Sequence, residues 1–95
     1  MSDIKRSPEF DAAAKDFEEI VKQHSPTNEE KLEGYALFKQ GSSGDNTKPA
    51  PGFLTSPSEK AKWNAYDAKK GISPEEAQAQ YVAYVAKVKA KYESN

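Results

Sequence analysis

The stretch FKQGSSGDNTKPAPGFLTSPSE, Phe38 to Glu59, sets the arrangement of everything around it. It leaves a helical pattern at Lys39 and Gln40, runs through small, polar, Gly- and Pro-rich residues, and ends in Ser56-Pro57, which reads as a helix start. So long an irregular connection is unusual in a chain of 95 residues, which has core enough for one modest domain and no more. It is long enough to cross a bundle. The helices on either side of it are therefore predicted to run parallel instead of forming a hairpin.

Working outward, Ser-Pro occurs four times, at Ser7-Pro8, Ser25-Pro26, Ser56-Pro57 and Ser73-Pro74. A serine hydroxyl satisfies the first free amides of a helix, and proline, with φ already fixed and no N–H to lose, suits the first helical position. Ser56-Pro57-Ser58-Glu59, Ser73-Pro74-Glu75-Glu76 and Thr27-Asn28-Glu29-Glu30 also have the spacing of a capping box. Capping accounts for the Ser-Pro pairs better than a phosphorylation signal does. Periodicity supplies the bodies of the helices. Phe10, Ala13, Ala14, Phe17, Ile20, Val21 and His24 form one stripe, and Ala77, Tyr81, Tyr84, Val85, Val88 and Tyr92 another. Between them, Leu32, Tyr35 and Ala36 share a face, and Ala61, Ala65 and Ala68 lie opposite Trp63 and Tyr66. The prediction is a single all-α domain over residues 1–95, with helices near 8–23, 27–40, 57–70 and 73–92 and Gly71 closing the third.

Composition excludes several function classes. There is no cysteine, and His24 is the only histidine, so neither a nucleophile–base pair of the usual kind nor a zinc site is available. Carboxylate pairs such as Glu18-Glu19, Glu29-Glu30 and Glu75-Glu76 fall in helical first turns or on solvent faces, where the helix dipole and solvation explain them. No catalytic or metal-binding residue, and no cofactor, is expected. With a net charge of −1 and Arg6 as the only arginine, the chain lacks the basic face of a nucleic-acid binder. Gly41-Ser42-Ser43-Gly44 resembles an RNA-clamping turn without its basic flanks, and Asp45-Asn46-Thr47 lacks the remainder of a calcium loop. The N-terminus has no apolar signal segment and no stretch is long enough to span a bilayer, which predicts a cytoplasmic protein without stable membrane insertion. The charge is uneven. Residues 1–38 carry 5 basic and 9 acidic groups, residues 39–95 carry 9 lysines and 6 acids, so a small anion would be drawn to the second half.

Lys39 sharpens that expectation. On a helical wheel it lies at the centre of the Leu32–Tyr35–Ala36 stripe, where a charge needs a partner. Snorkelling to water at the helix end is one answer; an anionic ligand held among aromatic rings is the other. Lys62 precedes Trp63 and shares the Tyr66 side of its helix, and Tyr81 lies in the stripe of the last helix. Lysines beside stacking rings suit an aromatic base that carries phosphates.

The runs YALFKQGSSGD, PGFL, KAKWNAYDAKKGIS and AQAQYVAYVAKVKAKY resemble the acyl-CoA-binding protein family, with similarity from Phe10 through Tyr92. The resemblance implies an up-down-down-up four-helix bundle that binds medium- and long-chain acyl-CoA esters. It implies Tyr35 at the 3′-phosphate, Lys39 and Lys62 as phosphate partners, Tyr81 beside the nucleotide and Leu32 near the acyl chain. Phe38 stands where the family has a tyrosine packed on the adenine, and keeps the ring without the hydroxyl. Lys31 and Gly34 replace positions commonly apolar in the family, and Glu18 lies where relatives often carry lysine; Gly34 is expected to widen the groove. The implied role is a monomeric carrier and pool former that supplies acyl-CoA-using enzymes. The competing reading is a non-enzymatic helical module for protein or membrane contact.

Overall fold

The computed structural model describes residues 4–93, so the ends of the predicted 1–95 span lie outside the described residues. The helices are α1, Pro8–Gln23; α2, Asn28–Ser43; α3, Pro57–Asp67; and α4, Pro74–Glu93. Three of the four Ser-Pro pairs cap as predicted. The Ser7 hydroxyl accepts from the Phe10 amide at 3.0 Å, Ser56 from Glu59 at 3.2 Å and Ser73 from Glu76 at 3.1 Å. The fourth does not. Pro26 is buried just before the helix, and Thr27 caps α2 through a reciprocal capping box with Glu30.

Two predicted helix ends also move. α2 continues three residues past Gln40, because Gly41 lets other elements close on its backbone. A Cβ there would lie 3.0 Å from Gln78 Cγ and 3.1 Å from Phe10 Cζ. Gly44, at φ +77°, then ends the helix, which shortens the crossover. In the other direction α3 ends at Asp67, not at residue 70. The chain tightens into i→i−3 bonds, Lys69 N to Tyr66 O and Lys70 N to Asp67 O, before Gly71 turns it at φ +98°.

Side-chain pairings give the topology. Phe10 stacks on Phe38 while Phe17 lies against Gly34, so α1 and α2 run in opposite senses. Lys62 lies over Tyr35 and the Tyr66 hydroxyl donates to Gly44 O at 2.7 Å, so α2 and α3 are parallel. Gln78 meets Ser7 at one end of the molecule and His24 stacks on Tyr92 at the other, so α4 runs with α1. The bundle is up-down-down-up. Its core holds Phe10, Ile20, Leu37, Tyr81, Val85 and Val88, with Phe17 and Phe38 packed against it. Among the described residues no helix is long and apolar enough to cross a membrane.

Buried polar groups fasten the ends. Gln78, 6% exposed, donates to Lys5 O and Gly41 O and accepts from Ser7 N, joining the N-terminal segment, α2 and α4. Gln40 donates to Asp45 Oδ1 at 2.8 Å and to Ile72 O at 2.7 Å, and Gly71 N reaches the same Asp45 oxygen at 2.9 Å. Those two bonds, Gly71 first and Gln40 second, hold the Asp45 carboxyl below its usual range. The crossover is thereby anchored where it leaves α2.

At the other end, Glu30 accepts from Lys91 Nζ, from the Tyr92 hydroxyl and from Thr27 N, and its pKa is lowered from 4.5 to about 2 by those bonds in that order. A depressed carboxyl stabilises the fold above its unfolded value and loses that contribution as pH falls toward the folded one. Urea midpoints should therefore drop as pH goes from about 4.5 toward about 2, and Glu30→Gln should flatten the slope in that window. An unchanged slope in the variant would assign the acid sensitivity to other carboxylates.

A candidate anion and acyl-chain site around Tyr35

Tyr35 is a wall shared by three cavities. The first, about 510 Å³, lies between α1 and α2; Ala14, Phe17, Phe38 and Tyr81 make it apolar, with Lys31 among its charged lining. The second, about 640 Å³, lies between the N-terminal halves of α2 and α3 and is lined by Leu32, Pro57 and Ala61 together with Lys31 and Lys62. The third, about 210 Å³, is closed by the crossover against α3; Lys39, Lys48 and Lys62 line it with Trp63, Tyr66 and Asn46, and Glu59 is its one carboxylate, so three lysines outnumber one acid. One tyrosine thus stands between an aromatic compartment, an apolar trough and a cationic one.

The helices hold these groups for local reasons. Lys62 follows Glu59 by one turn, and the two make a long ion pair at 3.8 Å; Lys62 Nζ also lies 5.8 Å from the Tyr35 ring centroid. Lys39 Nζ lies 5.8 Å from the centroid of Tyr66. Both ammoniums rest on aromatic faces, and the only carboxylate contact of either among the described residues is the long Lys62–Glu59 pair, a geometry that keeps them available to a phosphate. Lys48 is placed from outside: Trp63 Nε1 donates to its carbonyl at 3.1 Å, and its amide donates to Asn46 Oδ1 at 3.0 Å. That leaves Asn46 Nδ2 as a buried donor with no partner among the described residues. Tyr81, 2% exposed, is pushed up to about 12 by burial, with Arg6 pulling against it, so the phenol in the first cavity is neutral at physiological pH.

The family model described as Acyl CoA binding protein matches residues 7–85, most of the chain. The chain belongs to the acyl-CoA-binding protein family. It is 48% identical over 83 residues to acyl-CoA-binding protein homolog 1 of Caenorhabditis elegans, covering 87% of this chain and 93% of that one. It is 44% identical to the acyl-CoA-binding protein homolog of Drosophila melanogaster, covering 90% and 96%. The crystal structure of Oryza sativa acyl-CoA-binding protein 2 overlays with a TM-score of 0.66 at 31% identity, over 87% of this chain and 99% of that chain.

Within this acyl-CoA-binding fold the predicted site residues divide among the compartments. Phe38 and Tyr81 line the first, Leu32 the second, Lys39 the third; Lys62 borders the second and third, and Tyr35 all of them. Two expectations need correction. Lys39 does not emerge from a buried stripe. The buried face of α2 is Gly34, Ala36, Leu37, Gln40 and Gly41, turned roughly 140° from the predicted one at about 100° per residue. Two glycines and a glutamine carry no apolar signal, yet here the aromatic rings of α1 pack on bare backbone. Gly34 does line the first cavity, but the place of its missing side chain is taken by the Phe17 ring, since a Cβ there would lie 2.6 Å from Phe17 Cζ: the glycine admits that ring instead of leaving open space. Phe38 is committed more deeply than expected, stacked on Phe10 at 5.3 Å with Arg6 at 5.1 Å from its ring.

Sequence reasoning did not place Lys48, Asn46 or Arg6 near the ligand-binding residues. Lys48 and Asn46 belong to a segment without periodicity, and only Trp63 and Tyr66, which hold the loop down, bring them to the site. For Arg6 the sole arginine was a signal, but nothing in the sequence places it beside the stacked Phe10 and Phe38 rings.

Proposed function

We propose that this chain is a non-enzymatic carrier, a single acyl-CoA-binding domain over residues 1–95 that binds medium- and long-chain acyl-CoA esters. The observation that carries this reading is the meeting at Tyr35 of a lysine-lined cavity with aromatic and apolar ones, in a member of the acyl-CoA-binding protein family. The ligand joins phosphates to a hydrocarbon, so it needs two incompatible environments side by side. Lys39 and Lys62 serve the phosphates, each charged hydrogen bond contributing about 1.5–3 kcal/mol. Tyr35 lies between them, Phe38 and Tyr81 offer aromatic surface to the base, and Leu32 begins the apolar track. Removing the chain from water is worth about 0.8 kcal/mol per CH₂ before the losses of association. Long chains should therefore bind more tightly than short ones. No bond is made or broken: the ester is kept in solution and handed to acyl-CoA-using enzymes. A monomer in the cytoplasm suits that role, and a cysteine-free sequence suits a reducing compartment.

Calorimetry tests the reading. A long-chain acyl-CoA should bind one to one, with free coenzyme A and free fatty acid each much weaker, because each supplies only half of the interactions. Absence of heat with the ester would end it.

A further inference from the structure

The crossover carries a feature that the carrier reading leaves unused. Phe53 is 86% exposed and Leu54 88%, whereas the other exposed large hydrophobic residue among those described, Val21, reaches 39%. The two are consecutive and occupy the centre of a tight turn closed by Thr55 N donating to Gly52 O at 3.0 Å. The turn is not free to fold back over the protein. Trp63 Nε1 holds Lys48 O, the Tyr66 hydroxyl holds Gly44 O, and Pro49 and Pro51 stiffen the approach. Its shoulders, Pro51 and Thr55, line the same cavity as Lys39, Lys48 and Lys62. Two bulky apolar side chains therefore project beside the mouth of a cationic compartment.

We propose that the Gly52–Thr55 turn is a docking wedge for anionic lipid bilayers, inserting Phe53 and Leu54 among the headgroups while Lys39, Lys48 and Lys62 face the lipid phosphates. Two residues on a turn are too small for a stable protein interface, which takes about 800 Å² from each partner. A bilayer needs no complementary pocket; it accepts an aromatic and an aliphatic side chain at its interface and draws nearby lysines to its negative surface. The projection of both side chains into solvent argues against a lid over the protein's own cavities. Contact is weak and reversible, because two side chains bury less hydrocarbon than the single acyl anchor that itself gives only marginal attachment. The functional sense rests on the carrier reading: an amphiphilic ester partitions into bilayers, and a wedge at the cavity mouth brings the site to that source.

The test uses the full chain and the double variant Phe53→Ser/Leu54→Ser, checked by circular dichroism for unchanged helicity. Flotation without any acyl ligand, on vesicles rich in phosphatidylglycerol at low salt, should recover the parent chain and about tenfold less of the variant. Vesicles of phosphatidylcholine alone, or high salt, should recover little of either. Transfer of a fluorescent long-chain acyl-CoA from anionic vesicles should slow about fivefold or more in the variant, with affinity in vesicle-free solution unchanged within about twofold. Equal flotation of parent and variant, equal recovery on neutral and anionic vesicles, or no flotation of either overturns the proposal. A tenfold loss of vesicle-free affinity also overturns it, in favour of a lid. Failure of the carrier reading is distinguishable, since it would appear as no ligand binding in solution with lipid flotation intact.

Discussion

Replacing Lys39 and Lys62 together by alanine is expected to weaken long-chain acyl-CoA binding by roughly two to three powers of ten, with helicity unchanged. Each single change should cost about one to two powers, the value of a charged hydrogen bond. The two lysines border one cavity, so their effects are not independent, and the double variant should fall somewhat short of the sum. Folding should survive because neither ammonium is an essential tie: Lys39 rests on the Tyr66 ring, and Lys62 on Tyr35 with a 3.8 Å contact to Glu59. The measurement is a calorimetric titration beside far-ultraviolet circular dichroism, repeated at two salt concentrations. Affinity in the parent should fall with salt more steeply than in the double variant. Unfolded variants with unchanged binding per folded molecule would make the lysines structural.

Phe10→Ala should cost about 3–5 kcal/mol of stability, a large part of the roughly 5–10 kcal/mol that holds a domain of this size. Phe10 is fully buried, stacked on Phe38 at 5.3 Å, edge-on to Tyr81 at 5.2 Å, and seated on the bare backbone of Gly41. Its loss leaves a cavity that a glycine cannot fill and two rings without their partner. Urea unfolding should show a much lower midpoint with little change of slope. Because Phe38 and Tyr81 also line the first cavity, ligand affinity should fall as a secondary effect. Phe53→Ala is the contrast. The same chemical change on an 86% exposed ring should move stability by no more than about 0.5 kcal/mol.

Much of the architecture could be read from short stretches. Ser7, Thr27, Ser56 and Ser73 announce helices because capping is a bond between residues three apart, settled before any tertiary contact forms. The α1 and α4 stripes were legible for a similar reason, as their buried positions, Gln78 apart, are apolar by composition. α2 misled the periodic reading because its inward face is built from Gly34, Gln40 and Gly41, whose burial depends on Phe17, Gln78 and Phe10 arriving from elsewhere in the chain. The family resemblance pointed to Tyr35, Lys39 and Lys62, which line one cavity, but neither it nor periodicity pointed to Lys48, which lines that cavity too.

The amino-acid sequence by itself determined four helices, their starts, a crossover that makes the middle two parallel, and the family with its lysine–aromatic signature. Only the tertiary structure decided which face of α2 is buried, how far α2 and α3 extend, that Phe17 closes the space over Gly34, and that Phe53 and Leu54 stand out in solvent beside a lysine-lined mouth. The division has one physical cause. Caps and periodic stripes are set by bonds and spacings within a few residues, whereas the burial of a glycine, a glutamine or a loop lysine is set by what packs on it from tens of residues away.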